Sequence, residues 1–353
     1  MAKGRVRSGR VPRAALAALL SVAVVVGAST EAAGSDRATG PAPRTWYSFA
    51  PYAELTDYPP PNFTAIRDAA GVRAVTLAFV TAQGGDRCVP SWGGVSAYPA
   101  SGPGAYELAQ LRSYRHAGGS VVPSFGGASG AELATVCGSV GALETAYAKV
   151  ISAYHVDHLD FDIEGADASN FAAAKRRAAA LAGLQTAAAT HGRVLRVSLT
   201  LPALPSGLTG DAEKVLRETI GGGVSVSLVN GMAMDYGDSV APHPSGKMAG
   251  YAIDVANSLR GQLHAIFPSL GGAALESLIG VTPMIGINDV SDEVFTTANA
   301  TQLTKFARRH KLGMLSMWQL DRDTQCTRPV STAQTACSGV GQRRWMFAKL
   351  LRR

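Results

Sequence analysis

Apolar runs of strand length recur along the chain, and polar or small residues separate them. Eight of these runs predict β-strands, because they are short and rich in Val, Ile, Leu and Phe. They are Trp46–Ala50, Ala74–Val80, Ser120–Phe125, His158–Ile163, Leu195–Leu201, Ser227–Met234, Ile279–Ile287 and Gly313–Trp318. Longer stretches between them predict helices over Asn170–His191, Ala249–Ile266 and Asn299–His310. Gly192 follows the first of these helices as a stop signal.

Strands that alternate with helices imply parallel strands, because the helix carries the chain back to the starting edge. Eight such units predict an α/β protein with one (β/α)8 TIM barrel over residues 45–353. A doubly wound open sheet is the alternative. In a barrel, functional side chains lie at the C-terminal ends of the strands. Polar or aromatic residues stand at such ends: Tyr52, Ser124, Glu164, Asp235, Tyr236, Asn288, Asp289 and Trp318.

The fourth run places acids at alternate positions, with Asp160, Asp162 and Glu164 separated by apolar residues. Alternate residues of a strand point to one face, so the three acids lie roughly 6.5–7 Å apart along that face. Neighbouring carboxylates repel, and at least one should keep its proton at neutral pH. A protonated acid beside ionised ones is what acid-catalysed bond cleavage needs.

The N-terminus predicts a secretory signal over residues 1–28, since basic residues precede the apolar run Ala14–Ala28. Residues 29–44 lack periodicity and predict a flexible linker. We therefore expect a secreted protein with no membrane segment after signal cleavage. The signal also carries five basic residues and no acid, so most of the formal charge of +7 is local. The pattern gives no indication of a nucleic-acid partner.

Four cysteines in an exported protein predict two disulfides, for which three connectivities are possible. The short loop between Cys326 and Cys337 favours that pair, which leaves Cys88 with Cys137. We expect no metal, because three acids on one strand converge poorly on a cation and no Cys-x-x-Cys pair exists. No other cofactor is indicated.

The acidic run resembles the catalytic signature of glycoside hydrolase family 18, Asp-x-x-Asp-x-Asp-x-Glu, which is complete here from Asp157 to Glu164. Three further family signatures follow the same order along the chain: Ser124-Phe125-Gly126-Gly127, Met234-Asp235-Tyr236 and Trp318. The chain departs from the family at His158, where Gly is usual, and at Ile163, where Trp is frequent.

The resemblance implies a role for each matched residue. Glu164 would be the general acid, and the substrate's own N-acetyl oxygen would replace a second carboxylate as nucleophile. Asp162 would orient the N-acetyl N–H, and Asp160 would share a proton with Asp162. Tyr236 would hydrogen-bond the acetamido carbonyl, while Trp318 would form the floor under the sugar. The remaining matched positions are expected to support the motif: Asp157, Ser124, Gly126 and Gly127.

Further sugar contacts are expected from residues that lie near a predicted strand end or in a loop that should border the cleft: Met234, Asp235, Tyr52, Trp92, Asn288 and Asp289. The resemblance implies a secreted, monomeric chitinase acting on chitin or N-acetylglucosamine oligosaccharides. Two alternatives stay open: a related endo-β-N-acetylglucosaminidase acting on N-glycan cores or peptidoglycan-like chains, and a non-catalytic chitin-binding protein. The second is disfavoured because lectin-like relatives commonly lose the glutamate that is present as Glu164.

Overall fold

A computed structural model describes residues 48–352. The predicted signal, the predicted linker and residues Trp46 and Tyr47 lie outside the described part of the chain. The strands are β1 Tyr52–Glu54, β2 Ala74–Gln83, β3 Arg87–Trp92, β4 Ser120–Gly126, β5 His158–Asp162, β6 Arg196–Leu204, β7 Gly207–Leu208, β8 Leu228–Ala233, β9 Ile279–Pro283, β10 Gly286–Ile287, β11 Val294–Phe295 and β12 Met314–Leu315.

The helices alternate with these strands, as the apolar pattern predicts. They are α1 Phe63–Ala70, α2 Leu108–His116, α3 Leu133–Val136, α4 Val140–Tyr154, α5 Phe171–Thr190, α6 Gly210–Gly221, α7 Met248–Ile266, α8 Gly272–Ser277, α9 Thr297–His310 and α10 Met346–Leu351, with 3₁₀ turns at Gly165–Ser169 and Leu320–Arg322. Side-chain caps set the starts of two of these helices, α5 and α9. Asn170 accepts from the Ala173 N–H at 3.1 Å at the start of α5, and Thr296 forms a capping box with Asn299 at α9.

Eight of the strands form one parallel sheet in the order β1-β2-β4-β5-β6-β8-β9-β12. The sheet closes on itself between its first and last strands. The Ala50 N–H donates to the Leu315 carbonyl at 3.1 Å, and the Tyr52 N–H donates to the Met317 carbonyl at 3.1 Å. Closure confirms the predicted (β/α)8 barrel and excludes the open sheet.

The strands of the structure differ from the prediction in their bounds and in their number. The first barrel strand is Tyr52–Glu54 instead of Trp46–Ala50, although Phe49 still forms a bridge with Leu315. The predicted run Ile279–Ile287 divides into β9 and β10, because β10 leaves the barrel to pair antiparallel with β11. The antiparallel partner of β2, strand β3, was not predicted at all.

Both disulfides form as the favoured connectivity predicts, Cys88 with Cys137 and Cys326 with Cys337. The first joins β3 to the residue that follows α3, and so fastens the β2–β3 hairpin to the helical layer. Within residues 48–352, no helix has both the length and the apolar character that crossing a bilayer requires.

Candidate active site

The acidic strand β5 divides its side chains between two environments. Asp160 and Asp162 point into the barrel and are 2% and 4% exposed, while Leu159, Phe161 and Ile163 are fully buried on the other face. Glu164 follows the strand at the C-terminal mouth of the barrel and is half-buried. The alternation therefore produces the arrangement that the sequence predicts, a column of acids that reaches the barrel mouth.

Asp160 is the centre of a network of four hydroxyl groups from three strands, β1, β4 and β6. Its Oδ2 accepts from the Tyr52 hydroxyl at 2.9 Å and from the Ser124 hydroxyl at 2.7 Å. Its Oδ1 accepts from the Ser198 hydroxyl at 2.5 Å, and the Thr200 hydroxyl lies 3.1 Å away. Burial raises the pKa of Asp160, and the four hydroxyl donors oppose that rise because they stabilise the carboxylate.

Within the part of the chain that the structure describes, no hydroxyl group donates to Asp162. Burial first, and then the carboxylates of Glu164 and Asp160, raise the pKa of Asp162 well above its ordinary value. Burial and the nearby Asp235 also raise the pKa of Glu164. Asp162 Oδ1 is buried with no hydrogen-bond partner among the described residues. The pair of Asp162 and Glu164 therefore retains a proton more readily than free carboxyls do, and one acceptor oxygen is left to bind a ligand.

The glycines that follow Ser124 are required by close packing. A Cβ on Gly126, whose φ is 104°, would lie 2.0 Å from the Asp162 carbonyl oxygen. A Cβ on Gly127, with φ 84°, would lie 2.5 Å from the Phe79 ring. These glycines let β4 approach the acidic strand and the aromatic wall, which agrees with the supporting role expected of the motif. Ser124 contributes more directly, through its bond to Asp160.

Tyr236 is fixed through its backbone and leaves its phenol available. Its N–H donates to Glu293 Oε2 at 3.0 Å, and the next N–H, of Gly237, donates to Glu293 Oε1 at 2.7 Å. The preceding Asp235 has a left-handed φ of 50° and accepts from the Val290 N–H at 3.0 Å. The Tyr236 hydroxyl is buried with no hydrogen-bond partner in the described structure. Glu293 escaped the sequence analysis because it lies 57 residues away and belongs to no motif.

An aromatic wall borders the acidic column. Trp318 stacks on Phe79 with ring centroids 5.6 Å apart and planes 12° apart. Tyr52 packs against both rings, at 5.8 Å from Trp318 and 5.9 Å from Phe79. Trp318 and Phe79 remain partly exposed. Phe79 was not singled out from the sequence, where it is one apolar residue of a buried strand.

Two residues that are expected to contact sugar are fully buried in the structure. Trp92 is fully buried and its Nε1 donates to the Tyr154 hydroxyl at 2.8 Å, so it packs between β3 and α4. Asn288 is also fully buried, and its amide donates to the carbonyls of Met284 and Gly286 at 2.9 and 3.1 Å. The Nε1 of Trp92 and the amide nitrogen of Asn288 thus bind protein groups, while Asn288 Oδ1 is buried with no hydrogen-bond partner among the described residues.

The remaining predicted residues differ in their placement. Asp289 is exposed, and Met234, which precedes Asp235 in the chain, is partly exposed. Asp157 lies outside the acid column and its Oδ2 accepts from Arg196 Nη1 at 2.8 Å, which suits a structural role. Among the described residues, no group of three or more His, Cys, Asp or Glu is arranged to hold a metal ion.

A large cleft of about 1170 Å³ lies at the opposite end of the barrel, where β4, β5 and β6 begin. It is lined by basic residues and Asp157, and contains none of the acids of the column. The basic lining includes Arg112, Arg115, Arg193 and Arg196. The acid column, by contrast, occupies the end of the barrel where TIM-barrel enzymes carry their active sites.

A closed (β/α)8 barrel with a proton-retaining glutamate and an aromatic wall at its C-terminal mouth has the construction of a sugar-cleaving hydrolase. The chain is 31% identical to active domain 2 of the thermostable chitinase of Pyrococcus furiosus, solved in complex with chito-oligosaccharides. That match has a TM-score of 0.76 and covers 89% of this chain and 95% of the other. The chain belongs to glycoside hydrolase family 18, the family of the chitinases.

Two curated relatives agree with this assignment. A probable bifunctional chitinase/lysozyme of Escherichia coli is 34% identical, and endochitinase 11 of Metarhizium anisopliae is 31% identical, each over 299 residues. Both alignments cover 82% of this chain, but only 33% and 55% of the relatives, so the chain spans a third to about half of their length. No protein-family model matches the chain.

Proposed function

We propose that the protein is a secreted chitinase that hydrolyses β-1,4 bonds between N-acetylglucosamine units with retention of configuration. The observation that carries the proposal concerns two buried polar atoms of the site, Asp162 Oδ1 and the Tyr236 hydroxyl, which have no hydrogen-bond partner among residues 48–352. The first can accept a hydrogen bond and the second can donate one. An acetamido group offers the complementary N–H and carbonyl.

In the proposed first step, Asp162 holds the acetamido N–H and Tyr236 holds its carbonyl oxygen beside the anomeric carbon. That oxygen attacks the anomeric carbon as the glycosidic bond breaks, and Glu164 gives its proton to the leaving oxygen. The positive charge of the resulting oxazolinium ion is stabilised by the ionised acids below it. The raised pKa of Glu164 supports this role, because an acid catalyst must hold a proton near neutral pH.

In the second step, a water molecule attacks the anomeric carbon from the face that the leaving group vacated. Glu164 takes a proton from that water, and the acetamide is restored. Two inversions give net retention, so the first-formed reducing end is the β-anomer. A predominantly α product, seen by NMR immediately after cleavage, would exclude this route.

The test is a substrate panel of colloidal chitin, N-acetylglucosamine oligomers, a high-mannose glycopeptide and peptidoglycan. We expect cleavage of the first two by the wild type. We expect a loss on the order of 10²–10⁴-fold in Glu164→Gln, because the general acid is missing, while oligomer binding survives. Glu144→Gln, on α4, is the matched control and should keep full activity. Equal turnover by wild type and Glu164→Gln would refute the assignment of the acid.

The panel also separates the alternatives. The name of the Escherichia coli relative includes lysozyme, which favours peptidoglycan as a second substrate class. Cleavage of the glycopeptide alone would identify an endo-β-N-acetylglucosaminidase. Tight binding of chitin without turnover of any substrate would identify a binding protein.

Secretion and a monomeric state belong to the same proposal. Two disulfides support an oxidising destination, since such bonds are rare in reducing compartments. N-terminal sequencing of protein recovered from culture medium tests cleavage near residue 28. Light scattering of that material tests the oligomeric state.

A further inference from the structure

A buried histidine lies directly behind the acid column. His158 occupies the inward face of β5 two residues before Asp160 and is 2% exposed. Its Nε2 lies 3.0 Å from the Ser198 hydroxyl, which in turn lies 2.5 Å from Asp160 Oδ1. Ser198 and Asp160 are register partners across β5 and β6, so the contact is built into the barrel. The motif that this chain resembles has glycine at this position, and its chemistry assigns the side chain no role.

The hydroxyl of Ser198 has one proton, which it can donate either to His158 or to Asp160. The choice sets the direction of both hydrogen bonds. If His158 Nε2 carries a proton, Ser198 accepts from the ring and must donate to Asp160. If Nε2 is bare, Ser198 donates to the ring, and Asp160 must be protonated to complete the contact. Burial lowers the pKa of His158 to about 3, so the ring is neutral and carries only one N–H.

A second hydroxyl of the network has the same construction. The Asn230 amide donates to Thr200 Oγ1 at 3.0 Å, and Thr200 contacts Asp160 Oδ1 at 3.1 Å. The amide is itself fixed, because Thr282 donates to Asn230 Oδ1 at 2.9 Å. Thus a side-chain nitrogen lies behind each of the two β6 hydroxyls, and each hydroxyl faces Asp160.

We propose that His158 is a positioning residue that donates from Nε2 to Ser198 and so fixes the Ser198 hydroxyl as a donor to an ionised Asp160. This inference deepens the proposed function and rests on it. A charged Asp160 is an acceptor only, which leaves the mobile proton of the column on Asp162 and Glu164, where bond cleavage uses it. The charged or titratable groups around the pair are Tyr52, Asp162, Glu164, Asp157 and Arg196.

The first experiment needs no substrate. In wild-type protein, the ¹⁵N NMR signal of His158 Nε2, assigned by its loss in His158→Gln, should be that of a protonated ring nitrogen. The ¹³C carboxyl signal of Asp160, assigned through Asp160→Asn, should titrate about one pH unit higher in Ser198→Ala and in His158→Leu. The first variant removes a hydroxyl donor to the carboxylate, and the second removes the group that orients this hydroxyl. In His158→Gln, whose side-chain amide still offers an N–H, the titration should stay near that of the wild type.

The second experiment measures kcat/KM for an N-acetylglucosamine oligomer against pH. The acidic limb of this pH profile should shift to higher pH by about one unit in Ser198→Ala and His158→Leu, with little change in KM. The double variant should match Ser198→Ala, because His158 acts through that hydroxyl. Thermal unfolding checks that each variant is folded. If His158→Leu does not fold, the inference is tested by the ¹⁵N signal of His158 in the wild type and by the Asp160 titration in Ser198→Ala.

A bare Nε2, or an Asp160 titration unmoved by Ser198→Ala, would overturn the inference. Both readouts are independent of turnover. An inactive wild-type protein with the expected NMR signals would therefore refute the proposed function and leave the hydrogen-bond assignment intact.

Discussion

The carboxylate of Glu293 holds the backbone of Tyr236, accepting its N–H at 3.0 Å. The other carboxylate oxygen accepts the N–H of Gly237 at 2.7 Å. Glu293 is fully buried and comes from the loop that leads into β11. One residue outside every recognised motif thus determines where the Tyr236 phenol lies in the candidate site.

We therefore expect Glu293→Ala to reduce kcat/KM by roughly 100-fold, because a displacement of about 1 Å in a positioning group costs that much. The buried N–H of Tyr236 would also lose its acceptor, at about 1–3 kcal/mol in the free energy of unfolding, and the partly buried N–H of Gly237 would lose its acceptor as well. Steady-state kinetics and chemical denaturation measure the two effects. Glu144→Ala on α4 is the control, and an equal loss there would show that the effect is not specific to the loop.

Tyr236→Phe should separate activity from stability. The phenol has no partner in the described structure, so removing it should leave the melting temperature unchanged or slightly higher. Turnover should fall by about 10²-fold, because the acetamido carbonyl loses its donor. Tyr114→Phe is the control and should lower the melting temperature without changing turnover. Its hydroxyl donates to the Val72 carbonyl at 3.1 Å, far from the acids. A marked loss of stability in Tyr236→Phe would contradict the assignment of an unsatisfied phenol.

Gly126→Ala should damage the site through the backbone. Its Cβ would lie 2.0 Å from the Asp162 carbonyl oxygen at a φ of 104°. Strain at such a position costs about 1–3 kcal/mol before the clash is counted, so we expect lower stability together with loss of turnover. Gly138→Ala, where nothing lies within 4 Å of the added carbon, is the control. Circular dichroism melting and oligomer hydrolysis provide the measurements.

Two acids beside the barrel seam predict a pH-dependent stability. Burial, and then Asp57 and Glu54, raise the pKa of Asp321 to about 7, while burial and Glu54 raise that of Asp57 to about 6. A raised pKa means that the folded state binds more protons than the unfolded chain. The stabilisation is complete below the unfolded pKa of about 4 and is lost as the pH rises through 6 to 7.

Asp321→Asn should therefore flatten the change in melting temperature between pH 4 and pH 7 and stabilise the protein at pH 8. Asp86→Asn, in an exposed turn, should change the melting temperature with pH as steeply as the wild type does. Melting curves at matched ionic strength test both variants. A slope in Asp321→Asn as steep as in the wild type would assign the pH dependence to other groups.

The sequence predicts those features that depend on one strand or helix at a time. The alternation around Asp160 and Asp162, the eight-unit order and the helix that begins near Asn170 are local patterns, and the structure confirms the fold that they imply. The partners across strands could not be predicted. Ser198 meets Asp160 because of the register of β6 against β5, and Phe79 meets Trp318 because the barrel closes.

Trp92 and Asn288 show that the local sequence does not predict whether a side chain is exposed. Trp92 stands before two glycines, a pattern typical of an exposed turn, but the antiparallel hairpin of β2 and β3 folds it into the interior. Asn288 stands in a polar stretch after a strand, yet its amide is needed to bind two carbonyls of its own loop. In both cases tertiary packing, and not residue type, decides exposure.

Closure of the barrel also affects how the chain must acquire its fold. The seam joins distant segments, as in the bond from the Ser316 hydroxyl to the Ala50 carbonyl at 2.7 Å, across 266 residues. Contacts of such long range form slowly, and a growing chain exposes the edges of β1 and β9 until Met314 and Leu315 have been synthesised. During that interval the unpaired edges are templates for aggregation. Overproduction should therefore benefit from slow translation or low temperature, which give the last strand time to reach the first.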